Sequence, residues 1–412
     1  VSRLAEYAAI AGPDVVQQLE LLSASLRGLR VVHVNSTRTG GGVAEILQTM
    51  VPLMRELGLD ASWEVIEGSP AFFEVTKQFH NGLQGQTVAI PEAQFSEYQR
   101  VNEANAERLA PLLRAADIVF IHDPQPAALA RAVGQRQGRW VWRCHIDVSR
   151  PSRQVWRFLR PYVAAYDAAV FSMADFVHEL PCPTYLIPPS IDPLAPKNVP
   201  LPDAEVVETC TRLGIDPARP LIVQVSRFDR FKDPVGVIEA FRLARPFIPG
   251  LQLVLAGGSA TDDPEGATVE AEVRAAAGRD ADIIVLQLPN DAHRTINALQ
   301  RAADVVLQKS TREGFGLTVA EALWKGRPVV GGDTGGIRLQ VVNHQTGFLV
   351  RTPEGAAIRI RYLMRHADQR EAMGQRGREH VRENFLVTRQ LREYLTIVHG
   401  LVRGSGDRIE VE

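Results

Sequence analysis

Cysteine is scarce in this 412-residue sequence: Cys144, Cys182 and Cys210 are the only three. They lie far apart with no C-x-x-C spacing, which argues against a zinc site and a disulfide framework and points to the reducing cytoplasm. No apolar run approaches the roughly 18 residues of a spanning helix, and the opening VSRLAEYAAIAG lacks a basic and then apolar signal pattern. A cytoplasmic protein with no membrane partner is expected. An excess of either charge is missing too. Lys and Arg number 46 against 48 Asp and Glu, a formal net charge of -2, so no basic field exists to hold a nucleic acid backbone. Any phosphate must be gripped locally. Lysine itself is rare, with only Lys77, Lys197, Lys232, Lys309 and Lys325. Hydrolytic signatures are absent: there is no G-x-S-x-G elbow and no H-E-x-x-H. The Asp262-Asp263 pair before Pro264 reads as a solvated turn rather than a metal cage. A reaction without a metal is expected.

What is present is an alternation of short β-branched runs with helical stretches, the pattern of parallel sheets covered by helices. The first half carries strands at Arg30 to Val34, Ala61 to Ile66, Asp117 to His122, Arg139 to His145, Asp167 to Phe171 and Thr184 to Ile187. After the proline-rich stretch IPPSIDPLAPKNVPLP a second series follows near Leu221 to Val225, Leu251 to Ala256, Ile283 to Leu288, Asp304 to Leu307 and Pro328 to Val330. The class is α/β, with two doubly wound, Rossmann-like domains expected over 1–192 and 193–385. A last helix within 386–412 is expected to pack back on the first. Ligands of such sheets bind beyond the carboxyl ends of the strands, so two that face each other make an inter-domain cleft.

Three loops carry the chemistry. The strongest is STREGFGLTVAEALWKGRPVV, Ser310 to Val330, directly after an apolar strand. Gly314 and Gly316 allow close approach of the backbone, and a helix starting near Leu317 offers free amides to an anion, the makings of a diphosphate cradle. Glu313 and Glu321, eight residues apart, suit sugar hydroxyls. Thr318 to Glu321 also has the form of a capping box, which needs no ligand, and Glu313 beside Arg312 also reads as a solvated loop residue. The second loop, SRFDRFKD from Ser226 to Asp233, follows a strand. Arg227 and Lys232 can converge there on one anion and neutralise a departing diphosphate, although two exposed basic residues in a turn would look the same. The third, TGGGVAEIL from Thr39 to Leu47, is a weaker close-approach loop. His145 and Asp147 close one strand of the first half, and Asp123 follows His122 at the end of another. A core role for such a histidine competes with a functional one.

EGFGLTVAEAL and SRFDRFK together resemble the GT-B fold retaining glycosyltransferases of the glycogen synthase-like group, family four. That resemblance implies that Arg227 and Lys232 hold the diphosphate of a nucleotide sugar and Glu321 its ribose. Glu313 and the amides of Gly314, Phe315, Gly316 and Leu317 would hold the transferred sugar and phosphate. Gly42 would lie close to the donor phosphates, and His145 would contact the donor sugar. The strings HVNSTRTGGGVAEIL, WEVIEGSPAFFEVTKQFHNGLQG, HDPQPAALA and WRCHID are similar to those of trehalose glycosyltransferring synthases and trehalose phosphorylases. The implied reaction is ADP- or UDP-glucose plus glucose giving α,α-trehalose and NDP, with the reverse also open. It implies Asp123, Glu67, Lys77, His80 and Asn81 near the acceptor, no required cofactor, no essential divalent metal, and NDP-glucose, glucose and trehalose as partners. A homodimer is compatible with this. Trehalose phosphorolysis, another family-four hexosyl transfer, nucleotide sugar epimerisation and simple carbohydrate binding are the competing readings. Two departures stand out: Asp233 where many relatives have glycine, and Lys309-Ser310 where they have proline-serine.

Overall fold

A computed structural model of the chain describes residues 3–258 and 265–404, so the Asp262-Asp263 pair lies outside the described residues. The chain forms two compact units, one from Val1–Ser190 with Leu386–Glu412 and one from Ile191–Phe385.

The first unit holds β1 (Arg30–Asn35), β2 (Asp60–Val65), β3 (Ile118–His122), β4 (Arg139–Arg143), β5 (Ala168–Phe171) and β6 (Thr184–Leu186). All pair in parallel in the order β2-β1-β3-β4-β5-β6. The central strand β3, IVFIH, is buried along its whole length, because a parallel sheet covered on both faces leaves no solvent side. The winding reverses between β1 and β3, which makes their carboxyl ends the switch point where such sheets take ligands. The chain returns to this unit through the helix Val387–Arg403, which packs on the helices Pro13–Ala24 and Gly42–Glu56. Its Tyr394 stacks on Phe120, ring centroids 4.9 Å apart. Buried Arg389 donates to the carbonyls of Pro188 and Pro189 at 2.8 and 2.9 Å.

The second unit repeats the plan with β7 (Leu221–Val225), β8 (Gln252–Gly257), β9 (Ile283–Gln287), β10 (Val305–Gln308), β11 (Val329–Gly332) and β12 (Gly347–Val350). The order is β12-β11-β10-β7-β8-β9, again parallel. Here the switch point lies between β7 and β10. The loops SRFDRFKD and KSTREGFG therefore leave neighbouring strands side by side, although 80 residues of sequence separate their contacting members Phe231 and Thr311. The proline-rich stretch belongs to this unit from Ile191 on: Asn297 donates to the carbonyls of Pro196 and Val199 at 2.9 and 2.8 Å.

Three expectations need correction. The strand β12, GFLV, was not anticipated, since four residues starting with glycine carry little pattern of their own. The strand β4 ends at Arg143, so His145 stands in the loop beyond it. Asp123, just past β3, turns its own chain with a left-handed φ of 66° and reaches that loop by accepting the His145 backbone N–H on Oδ1 at 2.7 Å. Thr318 to Glu321 is not a capping box. The helix Leu317–Trp324 starts two residues earlier than such a cap would set it, its N-cap is Gly316 without a side-chain cap, and the Thr318 hydroxyl donates to Gln308 at 3.1 Å.

Candidate active site

In the second unit the two loops at the switch point lock together. The Thr311 N–H donates to the Phe231 carbonyl at 2.7 Å, and Gln224 at the end of β7 donates to the Lys232 carbonyl at 3.1 Å. The Lys232 ammonium forms an ion pair with Glu313 Oε2, which also accepts from the Ser310 hydroxyl at 3.2 Å. Glu313 is therefore a buried, paired carboxylate rather than a solvated loop residue. Gly316, at φ 83°, turns the chain into the helix Leu317–Trp324, and a Cβ there would press within 3.2 Å of Glu313. No side chain caps the helix; the Val319 N–H donates to the Gly316 carbonyl at 2.9 Å, and the amides before it are the ones such a terminus offers to an anion. Gly336 makes a second close approach, because a Cβ would come within 2.4 Å of the Phe315 main chain. Arg227 stands two residues past β7.

Glu321 is buried one turn into the same helix. Its Oε1 lies 3.7 Å from the Lys197 ammonium, while Oε2 is enclosed with no hydrogen-bond partner among the described residues. A buried carboxylate oxygen left in that state costs free energy unless a ligand hydroxyl reaches it. Beneath it Lys325 donates to Gln300 at 2.8 Å, Asn198 at 3.0 Å and the Glu321 carbonyl at 3.1 Å, and burial pulls its pKa down to about 7. The sequence offered no local signal for Lys197, because it comes from the proline-rich stretch.

The two departures from the family pattern touch each other. Asp233 takes a left-handed φ of 48°, which explains the glycine of relatives, and its carboxylate caps the next helix by accepting the Gly236 N–H at 3.1 Å. The same carboxylate pairs with the Lys309 ammonium. Asp233→Gly is expected to lower stability by about 2 kcal/mol, roughly 3 lost by leaving Lys309 buried without its carboxylate and about 1 regained from the relaxed backbone. Adding Lys309→Met should recover part of the loss. A urea midpoint unchanged in Asp233→Gly would show that the pair stabilises nothing.

In the first unit the glycine loop bends through positive φ at Gly40 and Gly41, and Gly42 is the first residue of the helix Gly42–Glu56. Three imidazoles stand in line across the switch point. His33 Nδ1 lies 3.0 Å from His122 Nε2, and His122 Nδ1 lies 3.0 Å from His145 Nε2. Burial lowers the His33 pKa to about 3. His122 is held well below its ordinary value by burial, His33 and Arg143, and His145 by burial, Arg143 and His122. His33 was missed as a site residue. The available signal was a titratable ring in the middle of the apolar run VVHVN. Lys77 and Asn81 are buried one turn apart on the helix Pro70–Leu83, with His80 beside them, 3.0 Å from the Gln84 amide. The Glu67 carboxylate instead points to the surface, 3.5 Å from Arg108. Among the described residues no three His, Cys, Asp or Glu side chains converge as metal ligands do, and no helix is long and apolar enough to cross a membrane.

Two Rossmann-like units, the second with a cation–carboxylate pair beside an uncapped helix N-terminus, are the arrangement of the GT-B glycosyltransferases. Solved structures share the fold. The chain aligns with sucrose-phosphate synthase from Thermosynechococcus elongatus at a TM-score of 0.72 and 19% identity, covering 92% of this chain and 100% of that one. With a UDP-forming α,α-trehalose-phosphate synthase from Burkholderia xenovorans the TM-score is 0.73 at 17% identity, covering 90% and 100%. Residues 33–178 match the family described as trehalose synthase, N-terminal domain, and residues 210–380 that of glycosyl transferases group 1. The chain is 45% identical to a trehalose synthase of Pyrococcus horikoshii, over 97% of this chain and 96% of the relative. It is 46% identical to one of Rubrobacter xylanophilus, over 96% of each. A trehalose phosphorylase of Pleurotus pulmonarius is 28% identical over 87% of this chain and 55% of its own length. The chain belongs to the trehalose synthase family of glycosyltransferases, related to trehalose phosphorylase.

Proposed function

We propose that the protein transfers glucose with retention from ADP- or UDP-glucose to free glucose, forming α,α-trehalose and NDP. The observation that carries this reading is the Lys232–Glu313 pair set against the uncapped helix at Gly316, with the unpartnered Glu321 oxygen one turn on. In the reaction Arg227 and Lys232 take the charge that develops on the leaving diphosphate, helped by the amides of Gly314 to Leu317. Glu321 accepts from the ribose hydroxyls. Glu313 and His145 orient the transferred sugar, and Gly42 lets the backbone approach the donor phosphates. Among the described residues no carboxylate stands out as a nucleophile for the donor face. We therefore assign same-face attack: the C–O bond to the acceptor forms as that to the phosphate breaks, and the departing phosphate oxygen takes the acceptor proton. Asp123, Lys77, His80 and Asn81 are assigned to the acceptor side, and Glu67, turned to the surface, is given no contact with it. No divalent metal is assigned a role.

The similarity to a trehalose phosphorylase keeps phosphorolysis as the second reading. The deciding experiment incubates the full chain with glucose and each nucleotide glucose, and separately with trehalose and phosphate, and identifies the sugars by NMR. Trehalose with released NDP supports the synthase reading. Glucose 1-phosphate from the second mixture alone replaces it with phosphorolysis. Within the synthase reading, Glu321→Gln is expected to raise KM for the nucleotide sugar about tenfold, the worth of one charged hydrogen bond, while kcat changes little. An unchanged KM would remove Glu321 from the ribose.

A further inference from the structure

His33, His122 and His145 form a hydrogen-bonded series that the reaction as assigned uses only at its last member. The rings come from three places, β1, β3 and the loop after β4. Burial keeps all three neutral, and a neutral imidazole has one N–H and one lone pair. Two hydrogen bonds in series then allow only two proton arrangements. In one, His33 Nδ1–H donates to His122 Nε2, and His122 Nδ1–H donates to His145 Nε2. His145 must then carry its own proton on Nδ1. In the other every donor reverses, and His33 is left with a proton on Nε2.

The far end of the series decides between them. His33 Nε2 is enclosed without a hydrogen-bond partner among the described residues, where the ring stacks on Phe120 at 4.8 Å and faces Tyr394. Orphaned buried N–H groups are rarer than under-satisfied acceptors, which places a lone pair there. At the near end Asp123 Oδ1 accepts the His145 backbone N–H at 2.7 Å, which fixes the main chain that carries the ring. His145 is half-buried, and among the described residues its ring bonds only through Nε2, to His122, so Nδ1 is the end of the series left for a ligand.

We propose that His33 and His122 are positioning residues that hold the His145 proton on Nδ1, so that this ring presents a fixed N–H donor to an oxygen of the transferred sugar. The sugar contact rests on the glycosyl-transfer reading above; the tautomer does not. A donor whose proton is already placed needs no reorganisation when the sugar binds or reacts.

The test is the 15N spectrum of the full chain labelled at histidine, with His145 assigned by a His145→Asn variant. A pyrrole-type Nδ1 and a pyridine-type Nε2 at His145 are expected, the reverse of the form prevalent in free histidine. His122→Phe should return His145 to the Nε2–H form and lower kcat about tenfold with donor KM little changed, the loss of one oriented hydrogen bond. His33→Asn, whose amide can donate from the place of Nδ1, should preserve both, and His33→Leu should not. Should His122→Phe fail to fold, the wild-type spectrum and the two His33 variants still decide. A His145 proton on Nε2 in the wild type, or a tautomer unmoved by His122→Phe, overturns the proposal. The expected spectrum in a protein that makes no trehalose would leave the tautomer assignment standing and remove the sugar-transfer reading instead.

Discussion

Lys232→Ala is expected to lower kcat by a hundredfold or more, on the order of the loss of one preorganised donor at a developing oxyanion. The ammonium sits where β7 and β10 adjoin, paired with Glu313 and beside the uncapped helix at Gly316. A nucleotide diphosphate entering there would take the ammonium as its own partner. Removing Lys232 also leaves Glu313 buried beside a single remaining partner among the described residues, the Ser310 hydroxyl. Stability must therefore be measured alongside turnover. Lys232→Ala with Glu313→Gln removes the stranded charge, and in that double variant the catalytic loss should persist while the stability loss shrinks. Normal turnover in Lys232→Ala would withdraw the leaving-group role.

Stability should fall steeply as pH drops below about 6.5, the pKa at which the imidazoles titrate in an unfolded chain. Folded, His33 stays neutral down to about 3, and His122 and His145 are also lowered. Between those values the unfolded state binds more protons, so stability rises with pH and is lost on acidification. At pH 5, still above the range of ordinary carboxylates, His33 alone should cost about 2 kcal/mol, and three rings behaving alike about 6. Urea midpoints taken from pH 7.5 to 5 measure this slope. His33→Phe should flatten it by up to about 1.4 kcal/mol per pH unit. A stability that does not change over that range would mean that the three rings are not held neutral in the folded protein.

The strands of the two units show why part of this was readable in advance. Apolar runs such as IVFIH and LIVQV announce buried parallel strands, because hydrophobic burial acts on every residue of the run. The loops SRFDRFKD and STREGFG were likewise legible, since glycines, cations and carboxylates just after a strand carry meaning through their local order. The edge strand GFLV lacked such a run. Thr318 and Glu321 matched a cap by spacing, yet Gly316 opens the helix, because a residue with positive φ was free to make the turn and the Thr318 hydroxyl had Gln308 to bond.

By itself, then, the sequence determined what depends on neighbours along the chain: two series of parallel strands, the loop that carries Arg227 and Lys232, the Glu313 to Glu321 spacing, and strings that mark the family. Only the tertiary structure decided what depends on strand order. It brought Lys232 to Glu313 and Asp233 to Lys309 across the β7–β10 switch point, carried Lys197 from the proline-rich stretch to Glu321, and set His33, His122 and His145 in one line. Those partners lie dozens of residues apart, and the sheet order that joins them follows from how whole helices and strands bury their apolar faces together, not from any short pattern.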